Sequence, residues 1–349
     1  MKTTKLNFTQ SNNSKYKLTI SKTFIFLFAL SFFTLTSCGS DEKDDKEGKQ
    51  PDGIALNKRF KDNRQDAVQE FNEDACSGCI ISVTGNQGTK VIFPANSLGL
   101  NGSPVTGNVT IELVEIYGKG AMVLQNMSTK GKKPNGDEEA LNSAGEYFIN
   151  AKQNGTQLDI LSSVTIESKP VDATTIGQMN IFRAGDELED EDLWTEVDEN
   201  GDNEPDVAEI FQGEDPITHE IYETFSFPVQ SFGWTNLDRW YSFTGQLTDL
   251  FVDVPDEYNQ TNCKVYLSYD GETGLANMDT WDAGQQMFTE HFGRIPVGKE
   301  VHFIMIAEID DVLHYAIQQA TIVDGHIEVI PSLQPTTEAQ LNTLLDALP

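Results

Sequence analysis

Basic residues are scarce in this 349-residue chain: 24 Lys and Arg stand against 55 Asp and Glu, a formal net charge of -31. That balance excludes phosphate recognition by bulk charge, so no nucleic-acid partner is expected, and it opposes docking of the protein body on an anionic membrane. Cysteine is rare too, with four residues, which rules out a disulfide-dense scaffold. The five histidines (His219, His291, His302, His314 and His326) show no HxH or HxxxH spacing. No GxSxG, HExxH or glycine-rich phosphate loop appears, so nothing in the sequence selects a catalytic residue. Long apolar runs are missing apart from Phe24 to Phe33, which Ser31 interrupts. About ten apolar residues fall short of the ~20 that a membrane-spanning helix needs. What remains is 38% hydrophobic content, enough for one large core or two medium ones.

The N-terminus has the layout of an export signal over residues 1–37. Lys2, Lys5, Lys15, Lys17 and Lys22 precede the short apolar run, and no acid occurs before Cys38. The run ends in Leu35-Thr36-Ser37-Cys38-Gly39, which resembles a bacterial lipobox. The resemblance implies cleavage before Cys38, acylation of its thiol, palmitate included, and anchoring at a membrane through several buried acyl chains. Residues 38–53 are charged, punctuated by Gly and Pro, and free of large apolar side chains, as a solvated tether should be. The acid cluster Asp41, Glu42, Asp44 and Asp45 behind the lipidated cysteine is similar to the export signal of Bacteroidota surface lipoproteins. That similarity implies display on the outer face of the outer membrane.

Residues 54–79 form a lead-in that fits a short helix or an extended segment equally well. From Ile80 the pattern turns to β: Ile80 to Val83, Lys90 to Phe93, Val109 to Ile116, Glu146 to Ala151, Gln157 to Leu161, Val164 to Ser168 and Asn180 to Arg183. Turn residues separate them, among them Gly85 to Gly88 and Asn101 to Pro104. Strands resume over Ile221 to Val229 and on past Trp234 to Phe243. Short strands at this spacing predict a sandwich or barrel. Gly88-Thr89-Lys90-Val91-Ile92-Phe93-Pro94-Ala95-Asn96-Ser97-Leu98, Gly107 to Leu113, Leu141 to Phe148 and Phe232-Gly233-Trp234-Thr235-Asn236-Leu237-Asp238-Arg239 together resemble a ZU5-like β-sandwich module. Similar segments recur in Bacteroidota lipoproteins. The resemblance implies a fold and a cell-surface setting for residues 80–243, and no reaction.

A second unit, residues 244–349, has strand patterns at Gln246 to Val254, Asn262 to Ser268 and Val301 to Glu308. Tyr315 to Ile322, the turn Asp324-Gly325 and His326 to Ile330 read as a hairpin. Pro335-Thr336-Thr337-Glu338 ahead of Ala339, Leu341, Leu344, Leu345 and Leu348 predicts a short C-terminal helix. In length and strand count this unit is Ig-like. The expected fold is therefore mainly β, with two β-sandwich modules behind a signal peptide and tether.

Four sets of residues carry possible chemistry. Cys76-Ser77-Gly78-Cys79 heads a strand, which favours a tight local disulfide over a redox or zinc site; Cys263 is then a buried free thiol. Residues 184–215 hold fifteen acids and no base, with Trp194 as a lone apolar anchor. Within them Asp198, Asn200, Asp202 and Glu209 fall at calcium-loop spacing, and Ca2+ would relieve their mutual repulsion. Asn203 stands where glycine makes the sharp turn of such a loop, and a solvated acidic loop is the competing reading. Finally, alternation places Trp234, Asn236, Asp238 and Trp240 on one strand face. That mix suits glycan stacking, although a core of this size also needs large aromatics. The function expected is a non-catalytic, lipid-anchored binding or structural module for glycan or protein at the envelope. The alternative is a surface hydrolase or an auxiliary subunit of an uptake or adhesion complex.

Overall fold

The first helix, α1 (Gly53–Asp66), starts where Asp52 caps it: Asp52 Oδ1 accepts from the backbone amides of Ile54 (2.9 Å) and Ala55 (3.0 Å). Its buried residues Leu56, Phe60 and Arg64 recur every fourth position and so form one stripe. Loss of the cap in Asp52→Ala is expected to cost about 1 kcal/mol in chemical denaturation. The Gln69–Ala75 strand follows, so the lead-in holds a helix and a strand in succession.

This computed structural model describes residues 50–169, 178–214 and 221–349. The signal segment, Cys38, all but the end of the tether, and His219 lie outside the described residues.

Among the described residues the architecture is mainly β, built from paired sheets. An eight-stranded sheet runs in the order Gln69–Ala75, Gly107–Ile116, Glu138–Gln153, Gly233–Trp240, Asn180–Arg183 and Thr195–Glu196; Lys130–Lys132 and Thr156–Gln157 also pair with Glu138–Gln153. A five-stranded sheet of Glu209–Glu214, Ile221–Val229, Val164–Ser168, Lys90–Phe93 and Ile81–Thr84 covers one face. Between them lies a core that includes Val91, Phe93, Ile111, Tyr147, Ile149, Phe225 and Phe227. Asp159–Ile160, Leu98–Leu100 and Ser103–Pro104 form a small three-stranded sheet, and two further sheets use residues 247–335. Cys263–Tyr269, Glu300–Ile309 and Val312–Thr321 centre a five-stranded sheet, which faces a four-stranded one holding Met287–Pro296 and Leu247–Asp253. Leu250, Val252, Val265, Leu267, Phe303 and Met305 fill the space between these two.

A third core joins the two sheet pairs. Phe148, Phe182 and Trp234 on the outer face of the eight-stranded sheet meet Leu56 and Phe60 of α1 and Met122 and Val123 of α2 (Lys119–Gln125). Leu341 and Leu345 of α3 (Glu338–Asp346) join them, with Tyr266, Ile304 and Ile306 from the second pair. The layers therefore run sheet, sheet, helices, sheet, sheet, and the described residues fall in a single compact unit. Central strands are buried on both faces in such a stack, which is why Phe303 to Ala307 reads as an unbroken apolar run.

The C-terminal helix begins as its sequence indicates, with a capping box between Thr337 and Gln340. The expected hairpin after Tyr315 does not form. Val312–Thr321 pairs with Glu300–Ile309, while His326–Val329 crosses to the other sheet and runs parallel to Leu247–Asp253. Ile322 and Ile330 on either side of the turn are buried in the core between the sheets, and His326 stacks on Phe303 at 5.8 Å. Alternation fixes which side of a strand is buried; it does not choose the neighbouring strand.

Candidate functional site

Trp234, Asn236 and Asp238 share one face, as alternation indicates, and that face points into the layer between the sheet and the helices. All three are fully buried. Trp234 packs on Phe148 with ring centroids 5.4 Å apart and donates from Nε1 to the Leu188 carbonyl (3.3 Å). Asn236 Nδ2 donates to Asp238 Oδ2 (2.6 Å). Trp240 is half-buried; its Nε1 donates to Glu196 Oε1 (2.7 Å), and Lys133 Nζ lies 4.9 Å over its ring. Trp234, Asn236 and Asp238 therefore pack the interior, and Trp240 is the member of the set that reaches partly to solvent.

The acidic stretch folds into the edges of both sheets of the first pair. Trp194 is buried and donates from Nε1 to the Ser128 carbonyl (2.8 Å), while Val197 and Ala208 join the first core. In its loop, Asp198 Oδ1 accepts from the amides of Gly201 (2.8 Å) and Asp202 (3.1 Å), and its Oδ2 accepts from Asn203 (3.0 Å). Asn203 takes up φ of 69°, a left-handed conformation that Asn tolerates. Asn200 and Asp202 accept from the amides of Asp202 and Glu204. Glu209 stands apart in the Glu209–Glu214 strand. Among the described residues, no three His, Cys, Asp or Glu side chains converge as a metal site.

Cys76 and Cys79 are joined by a disulfide, and Cys263 is a buried free thiol whose pKa burial raises to about 12. His302 Nδ1 lies 2.7 Å from Asp270 Oδ1.

The described residues do form a cleft, at a place that sequence motifs did not mark. The Lys130–Lys132 strand and the start of Glu138–Gln153 lie against the loop and strands of the second sheet pair. Lys130 Nζ sits 2.5 Å from Glu138 Oε2 and 2.8 Å from Asp279 Oδ2, with only 8% of its side chain exposed. Arg294 pairs with Asp137 across the same junction. One lobe, a cavity of about 30 Å³, has carbon-rich walls from Ala140, Leu267, Met278 and Ile295, and Glu139 and Arg294 also line it. Tyr241 and Tyr269 line this lobe too, stacked 4.6 Å apart with planes 19° from parallel. Burial raises the pKa of both phenols, so they stay protonated and able to donate. The second lobe, about 210 Å³, shares Lys130 and Asn277 with the first and is polar, with Lys264, Glu191, Asp192 and Asp279 on its walls.

Charged pairs around a carbon-lined slot provide directional hydrogen bonds beside apolar contact, the combination expected of a recognition site. The sequence holds one trace of it. Lys130, Lys132 and Lys133 form a dense basic run in an otherwise acidic chain. Tyr269 and Asp279 come from distant segments, and only folding unites them with that run. Compared with known proteins, the chain matches no family model and no curated sequence.

Proposed function

We propose that this chain is a lipid-anchored binding or structural module of the cell surface, carried on the outer membrane through Cys38, whose sheet pairs are ZU5-like and Ig-like. In this reading the cleft around Lys130 holds its partner, a glycan or a protein of the envelope. The observation that carries the proposal is the cleft itself. It lies at the junction of two sheet pairs, is framed by the ion pairs of Lys130 and Arg294, and has two protonated tyrosines in its wall. The lipobox-like Leu35-Thr36-Ser37-Cys38 and the acid cluster behind it support the anchor and the address.

The test is a pull-down of glycans and envelope proteins on the purified mature chain, with calcium and with EDTA. Retention of a ligand that falls at least about tenfold in the double variant Lys130→Glu, Arg294→Glu supports the cleft, since reversing both charges leaves the paired acids facing like charge. Failure to retain any ligand in either condition overturns the binding reading. Labelled palmitate tests the anchor separately: it should enter the wild-type chain and not Cys38→Ser.

A further inference from the structure

Ser143, Glu146, Asn236 and Asp238 form a polar island in the outer face of the eight-stranded sheet, on the side that carries Phe148 and Trp234. A β-bulge creates it. Asn236 pairs with Glu146 and Asp238 with Ser143, so three steps along one strand oppose two along the other. The extra residue lets Ser143 and Glu146 both point toward the helices while Ala144 and Tyr147 point into the first core.

The island is wired in one direction. The Gly145 amide donates to Ser143 Oγ (3.1 Å), Ser143 Oγ donates to Asn236 Oδ1 (3.0 Å), and Asn236 Nδ2 donates to Asp238 Oδ2. There the donors end. Asp238 Oδ1 and both carboxyl oxygens of Glu146 are fully buried and receive no hydrogen bond from any described residue. Charged groups on the neighbouring elements are engaged elsewhere. Lys119 of α2 donates to the Pro349 carbonyl and is coupled to Asp270 and Glu272. Glu272 accepts from Asn142, and Glu196 accepts from Asn180 and Trp240. Two carboxylates without a counter-charge in such surroundings cannot both stay ionised, because the cost of burying a bare charge exceeds that of holding a proton.

We propose that Glu146 and Asp238 are a proton-binding pair that links closure of the joint between the two sheet pairs to pH. Protonated, Glu146 is neutral and adds no charge beside the Asp238 carboxyl. On deprotonation the proton passes to solvent, and a charge remains buried beside a second acid. The same stretch of strand is where the second sheet pair is clasped: Thr273 Oγ1 donates to the Ser143 carbonyl (2.7 Å), and Asn142 Nδ2 donates to Glu272 (2.7 Å). Relief of the buried charge by water therefore loosens this clasp first. Desolvation alone raises the pKa of Glu146 to about 8; desolvation raises that of Asp238 against hydrogen bonding from Ser143 and Asn236, and the charge of Glu146 adds to the rise. A folded-state pKa above the unfolded value means the folded chain binds more protons. The pair's contribution is then complete below the ordinary Glu range and is lost as pH rises toward about 8.

The experiment is urea unfolding of the full mature chain, and of Glu146→Gln and Asp238→Asn, from about pH 5 to about pH 9, with infrared spectra of the folded proteins near neutrality. The wild-type unfolding constant should rise by up to about tenfold per pH unit across this window, and Glu146→Gln should remove most of that slope. A protonated-carboxyl band should be present in the wild type and lost in Glu146→Gln. Hydrogen exchange in residues 141–146 and 270–275 should quicken with pH in the wild type beyond its intrinsic increase. Equal slopes in wild type and Glu146→Gln, or no protonated-carboxyl band, overturns the proposal. So does a slope that chelator or calcium abolishes, since a cation rather than a proton would then neutralise the pair. Should Glu146→Gln fail to fold, the wild-type spectrum and the Asp238→Asn slope decide.

Discussion

Gly145→Ala should lower the free energy of unfolding by about 3 kcal/mol or more, a large share of the margin that holds a domain folded. Gly145 sits in the bulge of the Glu138–Gln153 strand with φ of 140°, a region that residues with a Cβ scarcely enter. A Cβ there would lie 2.3 Å from Tyr147 Oη and 2.7 Å from Tyr117 Cε1. Neither ring has room to retreat. Tyr147 is fully buried between the sheets, edge-on to Tyr117 at 5.8 Å, and Tyr117 Oη is bonded to Thr89 Oγ1. Gly155→Ala provides the control. Its φ is 76°, nothing lies within 4 Å of the added carbon, and it should cost only the ~1–2 kcal/mol of a left-handed backbone. Urea denaturation of both variants checks the pair. Equal losses would show that the bulge relaxes and that the tyrosines do not hold it.

Arg64→Met should cost roughly 2–4 kcal/mol, somewhat less than a fully buried ion pair because Glu191 keeps some access to water. The Arg64 side chain is completely buried at the end of α1 and ties three segments together. Nη1 donates to the Gln125 carbonyl at the end of α2 (3.0 Å), and Nη2 donates to Glu191 Oε1 in the acidic stretch (2.9 Å). Glu191 in turn accepts from Asn126 Nδ2, and Asn126 Oδ1 accepts from Tyr266 Oη of the second sheet pair (2.6 Å). Removing the guanidinium leaves the Gln125 carbonyl buried without this donor and takes the base away from Glu191. Glu191→Gln keeps the shape and the Asn126 contact, so it should cost about 1 kcal/mol. Denaturation of the two single variants and the double variant gives the coupling energy directly.

Much of the fold is legible in the sequence because strand patterning is local. Val164–Ser168 and Asn180–Arg183 are strands over the residues that alternation marks, and Thr337 caps the last helix where its Thr-Thr-Glu signal lies. Other elements carry no local signal. Lys119–Gln125 is a seven-residue helix whose Lys-Gly-Ala-Met-Val-Leu-Gln sequence is too short to show a helical period; packing against α1 and α3 forms it. Glu138–Gln153 extends eight residues before the point where alternation becomes visible, because the bulge at Gly145 shifts the alternation by one. The cleft is less legible still. Its basic run at Lys130 stands in the sequence, yet Asp279 lies 149 residues further on.

By itself the sequence determined the mainly β class, the short C-terminal helix and a chain poor in bases. Those follow from periodicity, capping and composition, which act over a few residues at a time. Which charges meet was decided by the tertiary structure alone. Fifteen acids in residues 184–215 have no base among them, and their repulsion reads as that of a solvated loop. In the folded chain Lys61 and Arg64 of α1 reach Glu189 and Glu191, while Trp194, Val197 and Ala208 pin the stretch to the cores. The opposite holds at Glu146 and Asp238. Nothing in the sequence marks either as buried without a partner, and folding leaves them fully buried with three carboxyl oxygens that no described residue bonds. Charge pairing depends on distances of a few ångströms between residues more than a hundred apart in sequence, and only packing of the layers sets those distances.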